Sequence, residues 1–200
     1  MKLLGIVCSP RKNSNTEILV QEALDQAAKL GAEIEIINAA KMEIKPCDAC
    51  DSCHNTTSCH IQDEMQQVYP KLLAADGIII GSPVYYWGIT AQAKALIDRT
   101  YVFRRHRDLR NKVSGAVVVA GQVGNSTAFS ALNEFFNLHR LIPARSIGSR
   151  TEEELRMERP GGVTAYAYDR GQVRDNLKAM DQARGLGQSM VETVDALRRE

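Results

Sequence analysis

The sequence predicts an α/β fold: a doubly wound, five-stranded parallel sheet with helices on both faces, and a cysteine-rich loop after the second strand. Three observations predict it. Short apolar, β-rich runs alternate with longer segments of helical period. The runs are close to continuously apolar, as in strands buried on both sides. The connections between them are a dozen residues or more, the length that a parallel crossover requires.

"KLLGIVC", from Lys2 to Cys8, is the first strand. The helix after it spans residues 14–30, with Leu19, Ala23, Ala27 and Leu30 on one stripe and Gly31 as its stop. "AEIEIIN" is the second strand, followed by a cysteine-rich loop over residues 45–60 and a helix over 62–74. "GIIIGSP" is the third strand, with a helix over 90–103, and "VSGAVVVAG" the fourth, with a helix over 126–141. "ARSIGS" is expected to be the fifth strand and residues 172–199 the last helix. The segment 150–171 fits none of these patterns and is expected to be an extended loop or arm. A length of 200 residues suits one domain with one sizeable core.

The composition is 44% apolar and 24% charged, with a formal net charge of +1. Near-neutrality argues against a dedicated nucleic-acid or membrane-surface protein, which draws on a strong electrostatic term. No apolar run approaches the roughly 20 residues of a bilayer span. The start, "MKLLGIVCSPR", is short for a signal peptide, so the expected location is cytoplasmic. Thiols stay reduced in that compartment, and a cysteine cluster there reads as metal-binding or catalytic before cross-linking.

Doubly wound sheets bind ligands at the carboxyl ends of their strands, where strand order reverses. The loops after strands one, three and four are therefore expected to carry the chemistry. After the first strand, "CSPRKNSNT" leads into a helix whose N-terminal N–H groups form a ready anion site, with Ser9, Arg11, Ser14, Asn15 and Thr16 as further donors. Ser14 to Glu17 is equally a capping box that needs no ligand. After the third strand, Gly81, Ser82 and Pro83 turn the chain, and Val84 leads to Tyr85, Tyr86 and Trp87. Those aromatics suit a flat conjugated ring, a local core cluster or a subunit contact. After the fourth strand, Gly121 and Gly124 allow close backbone approach to a ligand, or simply a turn.

"SPRKNSNT", "GSPVYYWGITAQAKALIDR" and the glycine-bearing loop together resemble the flavodoxin-like NADPH-dependent FMN reductase superfamily over roughly the first three quarters of the chain. The resemblance implies that the first loop holds the phosphate of FMN. Pro83, Val84, Tyr85, Tyr86 and Trp87 would then border its ribityl chain and isoalloxazine, and Gly121 to Gly124 would close the other side of the ring.

Cys47, Cys50, Cys53 and Cys59 are spaced C-x2-C-x2-C-x5-C. The first three match the run with which bacterial ferredoxins hold a 4Fe-4S cube, and Cys59 is close enough to be the remaining ligand. Zinc stays open because His54 and His60 lie alongside, although a structural zinc site usually pairs two separated halves. Regulatory or chance thiols are a third reading. This spacing in such a chain resembles the iron-sulfur flavoproteins of anaerobic archaea and bacteria. That resemblance implies a homo-oligomer, dimer or tetramer, with one FMN and one 4Fe-4S cluster per subunit. Cys8 stands where glycine or alanine is frequent in the family, and a strand-end thiol is expected to be packed rather than reactive.

The functional expectation is an FMN-dependent oxidoreductase that takes electrons from a ferredoxin-like one-electron donor, through the cluster and FMN, to a small-molecule acceptor. The run "RRHRDLRNK", with Arg104, Arg105, Arg107 and Arg110, either attracts an acidic ferredoxin or is a solvated helix end. One alternative is an NAD(P)H-dependent flavin or quinone reductase with a structural or zinc-binding cysteine loop. Another is a thiol- or metal-based redox sensor. No G-x-G-x-x-G nicotinamide fingerprint follows a strand.

Overall fold

The computed structural model of the chain describes residues 1–56, 58–144 and 161–199. Its strands are β1 (Lys2–Val7), β2 (Glu33–Asn38), β3 (Gly77–Pro83), β4 (Val113–Ala120), β5 (Ile142–Pro143) and β6 (Gly162–Tyr166). Its helices are α1 (Asn15–Lys29), α2 (Cys53–Thr56), α3 (Met65–Ala74), α4 (Ala91–Arg99), α5 (Asn125–Leu138) and α6 (Leu177–Leu197). All strand pairs are parallel, in the order β2-β1-β3-β4-β5, with β6 also on β4. Strand order reverses between β1 and β3, which places the ligand crevice at their carboxyl ends.

β5 and β6 share the fifth position. Val113 and Ser114 pair with β5, whereas Ala116 to Ala120 pair with β6. Two expectations are corrected here. The fifth strand begins at Ile142, ahead of the expected "ARSIGS", which beyond Ala144 lies outside the described residues. The expected arm over 150–171 contributes β6 to the sheet; its residues 150–160 lie outside the described residues. The Gly161-Gly162 pair hides this strand because glycines read as a turn. Gly162 lies against the Phe129 ring, and a Cβ there would collide with it. Past it the pattern alternates as a strand should: Val163, Ala165 and Ala167 are buried, and Tyr166 and Tyr168 are exposed.

β4 is buried along its whole length, and β1 and β3 nearly so, which explains their continuous apolar runs. One face of the sheet is covered by α1 and α6, through Leu19, Ala23 and Leu24 against Ala183, Leu186 and Met190. The other face is covered by α3, α4 and α5, through Met65, Leu72, Leu96, Leu132 and Phe136. Among the described residues, no helix is long and apolar enough to cross a membrane.

Gly187 on α6 sits directly against the Ala23 carbonyl of α1, leaving no room for a Cβ. Gly187→Ala sets about 1 kcal/mol of helix propensity in favour of alanine against a backbone clash that separates the two helices. The expected result in urea unfolding is a net loss of about 1–3 kcal/mol; a gain in stability would show that the contact between α1 and α6 is loose.

Candidate functional site

Two cavities carry the candidate residues, one at the carboxyl ends of β1, β3 and β4 and one between the cysteine loop and helices α4 and α5. The first, about 430 Å³, is walled by Ser9, Arg11, Ser14, Asn15 and Thr16 after β1, by Pro83, Val84 and Tyr85 after β3, and by Gly121 after β4. Ser14 is the N-cap of α1, its Oγ accepting the Glu17 N–H at 3.1 Å. The capping and anion-site readings thus describe one loop, because the other first-turn N–H groups stay without intrahelical acceptors. Ser9 and Thr16 are each 1% exposed, and neither hydroxyl has a partner among the described residues. Both residues line the cavity, and two unengaged hydroxyls beside an arginine and a helix N-terminus suit an anionic ester.

Four expected residues do not line this cavity. Ser82 is wholly buried, with Oγ donating to the Pro83 carbonyl at 2.9 Å and accepting the Thr90 N–H at 3.1 Å. It shapes the loop. Tyr86 and Trp87 occupy the centre of a two-residue reversal in which Tyr85 and Gly88 exchange N–H···O bonds of 3.0 Å. Both have left-handed φ, 48° and 64°, and both side chains face outward, Tyr86 fully exposed. Gly124, with φ of 92°, packs under this reversal; a Cβ there would lie 2.8 Å from Val84 Cγ1 and 2.9 Å from Trp87 Cα. Asn15 lines the cavity, but its amide is bonded to the segment after β6. That segment supplies a wall the sequence reading did not assign: Ala167, Tyr168, Asp169 and Arg170, with Val119 of β4. The alternating "VTAYAY" was the available signal.

The second cavity, about 710 Å³, is lined by Cys47, Cys50, Cys53 and Cys59 on one side and by Ile97, Phe135 and neighbours on the other. Cys47 and Cys50 are exposed, and Cys53 and Cys59 half-buried. Ala49 and Asp51, one within each two-residue gap, adopt left-handed φ of 57° and 58°. Reversing the curl between successive cysteines in this way costs about 1 kcal/mol per residue, and all four cysteines line the one cavity. Burial, aided by repulsion from Cys59, Cys47 and Cys50, pushes the Cys53 thiol above its ordinary value. A cation centre reverses that balance, since a coordinating thiol is deprotonated outright. The donor set therefore fits a thiolate-bound metal group. Among the described residues, the ligand atoms that lie within 4.8 Å of one another are those of Asp48, Cys50 and His60; no three of the four thiols are that close together.

The ends of the cysteine loop are held by Arg99, at the end of α4. Its guanidinium grips both oxygens of Asp63, at 2.6 and 3.1 Å, and donates to the Lys45 carbonyl at 2.9 Å and the Ile61 carbonyl at 3.2 Å. Asp63 in turn accepts the Lys45 N–H at 2.9 Å and the Met65 N–H at 3.0 Å. Both side chains are essentially inaccessible, at 0% and 1%. Burial alone would raise the Asp63 carboxyl, but the Arg99 guanidinium and the Lys45 N–H outweigh it and hold the group below its ordinary value. Neither residue carries a local sequence signal. Arg104, Arg105, Arg107 and Arg110 are exposed; Arg105 donates to the His54 carbonyl of the cysteine loop at 2.7 Å, and Arg104 lines the second cavity and lies over the Tyr101 ring. Cys8, as expected, is buried, and burial pushes its thiol up to about 12.

A parallel sheet in the order 2-1-3-4-5, with a polar cleft at its reversal point, is the flavodoxin-like architecture. Residues 1–154 match the family described as NADPH-dependent FMN reductase. An iron-sulfur flavoprotein of Methanocaldococcus jannaschii is 35% identical over 201 residues, covering 100% of both chains. An iron-sulfur flavoprotein of Methanosarcina thermophila is 38% identical over 71% of this chain and 76% of its own. Among solved structures, RosB with bound 8-demethyl-8-formylriboflavin-5'-phosphate superimposes with a TM-score of 0.73 at 16% identity, over 100% of this chain and 81% of that one. The chain belongs to the iron-sulfur flavoprotein family within the NADPH-dependent FMN reductases.

Asp63→Ala leaves a buried guanidinium without its partner and is expected to lower stability by about 3–5 kcal/mol in urea unfolding. The pH dependence follows from the lowered Asp63 value: its contribution is complete above the unfolded carboxyl value of about 4 and is lost as pH falls through the folded value. The stability gap between wild type and Asp63→Asn should therefore shrink on acidification; a gap that widened would contradict the clamp. Replacing Tyr86-Trp87 with Asn-Gly, the pair suited to such a reversal, should raise stability by about 1–2 kcal/mol. An unchanged or lowered unfolding midpoint would mean that the exposed rings are held by contacts of their own.

Proposed function

We propose that this protein moves electrons from a ferredoxin-like one-electron donor, by way of a 4Fe-4S cluster and FMN, to a small oxidant, and that it works as a homo-oligomer. The observation that carries this reading is the shared wall between the two cavities. The loop joining β3 to α4 lines the first through Val84 and Tyr85 and the second through Ile89. When bound, a 4Fe-4S cluster supplies one-electron exchange and FMN supplies one- or two-electron exchange, so together they join a one-electron donor to a two-electron acceptor.

The residues have separate tasks in this reading. Ser9, Arg11, Ser14 and Thr16, with the N-terminus of α1, hold the flavin phosphate. Pro83, Val84, Tyr85 and Gly121 border the rest of the flavin, while Ser82 and Gly124 fix the loops that carry them. Tyr86 and Trp87, turned outward, serve contacts between subunits. Cys47, Cys50, Cys53 and Cys59 ligate the cluster, and Arg99 with Asp63 keeps the ends of their loop in place. The four exposed arginines attract an acidic donor, and none makes an ion pair among the described residues.

A second reading draws on the Asp48, Cys50 and His60 trio: zinc in the loop of an NADPH-dependent flavin reductase. Anaerobic purification with metal, sulfide and flavin analysis separates the two. The expected content is about four iron and four acid-labile sulfide per chain beside FMN; zinc without sulfide would establish the second reading. Cys50→Ser should retain FMN yet lose donor-driven flavin reduction. Unchanged reduction rates in that variant would discard the route through the cysteine loop.

A further inference from the structure

The Asn15 side chain is fully engaged away from any ligand. Its Nδ2 donates to the Asp169 carbonyl at 2.8 Å and to the Ala167 carbonyl at 3.5 Å, and its Oδ1 accepts the Val173 N–H at 3.2 Å. Gln172 Oε1 closes the same turn, accepting the Tyr168 N–H at 2.6 Å and the Asp169 N–H at 3.1 Å. Residues 167–173 are thereby pinned against the first residue of α1. The pinning leaves Arg170 on the wall of the same cavity as Arg11. Neither arginine makes an ion pair among the described residues. The match to the FMN reductase family ends at residue 154, so this wall lies beyond that shared pattern.

A phosphate monoester carries about −1.5 to −2 charges at neutral pH. Arg11 supplies one positive charge and the α1 N-terminus about half of one, but the Asp169 carboxylate on the same wall opposes them, so the cleft is left about one positive charge short of the ester. Arg170 supplies the remainder, and a guanidinium suits phosphate oxygens in a bidentate way.

Resting on the FMN reading above, we propose that residues 167–170 form a fourth wall of the flavin cleft, with Arg170 as a second cation for the phosphate. Asn15, in this arrangement, is a positioning residue that holds Arg170 in place and donates nothing to the phosphate itself. Hydrogen bonds within a pinned loop then set an affinity that reads out only on the phosphorylated flavin.

The test uses the full-length protein stripped of flavin and titrated with FMN and with riboflavin, following flavin fluorescence. Arg170→Gln is expected to weaken FMN binding about 10-fold and to change riboflavin binding by less than about twofold. Arg170→Lys should recover part of the loss. Asn15→Ala should lower the FMN-to-riboflavin preference in the wild-type background and add little once Arg170 is already glutamine. The proposal is overturned if Arg170→Gln leaves FMN binding unchanged or weakens both flavins equally, or if the Asn15 and Arg170 effects multiply. A wild-type protein that binds FMN no better than riboflavin would instead overturn the parent reading of the cleft, and this proposal with it. Because Arg170 is exposed, its variants are expected to fold normally, and matched unfolding midpoints check this.

Discussion

The buried pair of Arg99 and Asp63 is the constraint on which the cysteine loop depends. The described residues from Pro46 to His60 are mostly exposed and pack on the core only through Cys53 and Cys59, so the loop's shape depends strongly on how its ends are held. Arg99 holds both ends at once, through the Lys45 carbonyl before the first cysteine and the Ile61 carbonyl after the last. An apolar pair of similar volume would fill the same space, and a buried ion pair is not in itself a large source of stability. It could not, however, hold two carbonyls and two backbone N–H groups in register. The pair matters here for position more than for net energy.

The clamp also belongs to a continuous path across the site. α4, which ends in Arg99, is capped by Thr90, whose hydroxyl donates to the Cys8 carbonyl just past β1 and accepts the Ala93 N–H. Ser82 fastens the Thr90 N–H from the other side. The loop that walls the first cavity is thus tied to the helix that anchors the second. Under the proposed function such a path matters, because two groups held on one rigid frame would keep a fixed separation. The left-handed Tyr86 and Trp87 sit on the same loop, with their strain stabilised by the backbone pairing of Tyr85 and Gly88 and by the packing of Gly124.

Much of the site was legible because its signals are local. Ser9, Arg11, Ser14 and Thr16 follow a buried strand and open a helix, and both features are written in adjacent residues. The cysteine spacing is likewise contained in a short window. What was not legible depends on partners far along the chain. Asn15 reads as a ligand donor from its neighbours, yet its partners are Asp169 and Val173, more than 150 residues away. Asp63 and Arg99 are 36 apart, and each alone looks like an ordinary charged residue at a helix boundary. β6 escaped notice because its opening glycines carry a turn signal, and only the Phe129 ring packed on them explains their presence.

Residue order alone determined the alternation of strands and helices, the anion-suited loop after β1 and the cluster of four thiols. These arise from periodicity, capping and spacing over a few residues, where each residue's preference is expressed without help. Tertiary structure alone decided that the fifth strand position is shared by β5 and β6, that Asn15 secures a loop, and that Arg99 closes the cysteine segment. Those outcomes come from contacts between distant segments, whose energies depend on burial and exact juxtaposition that no local pattern encodes.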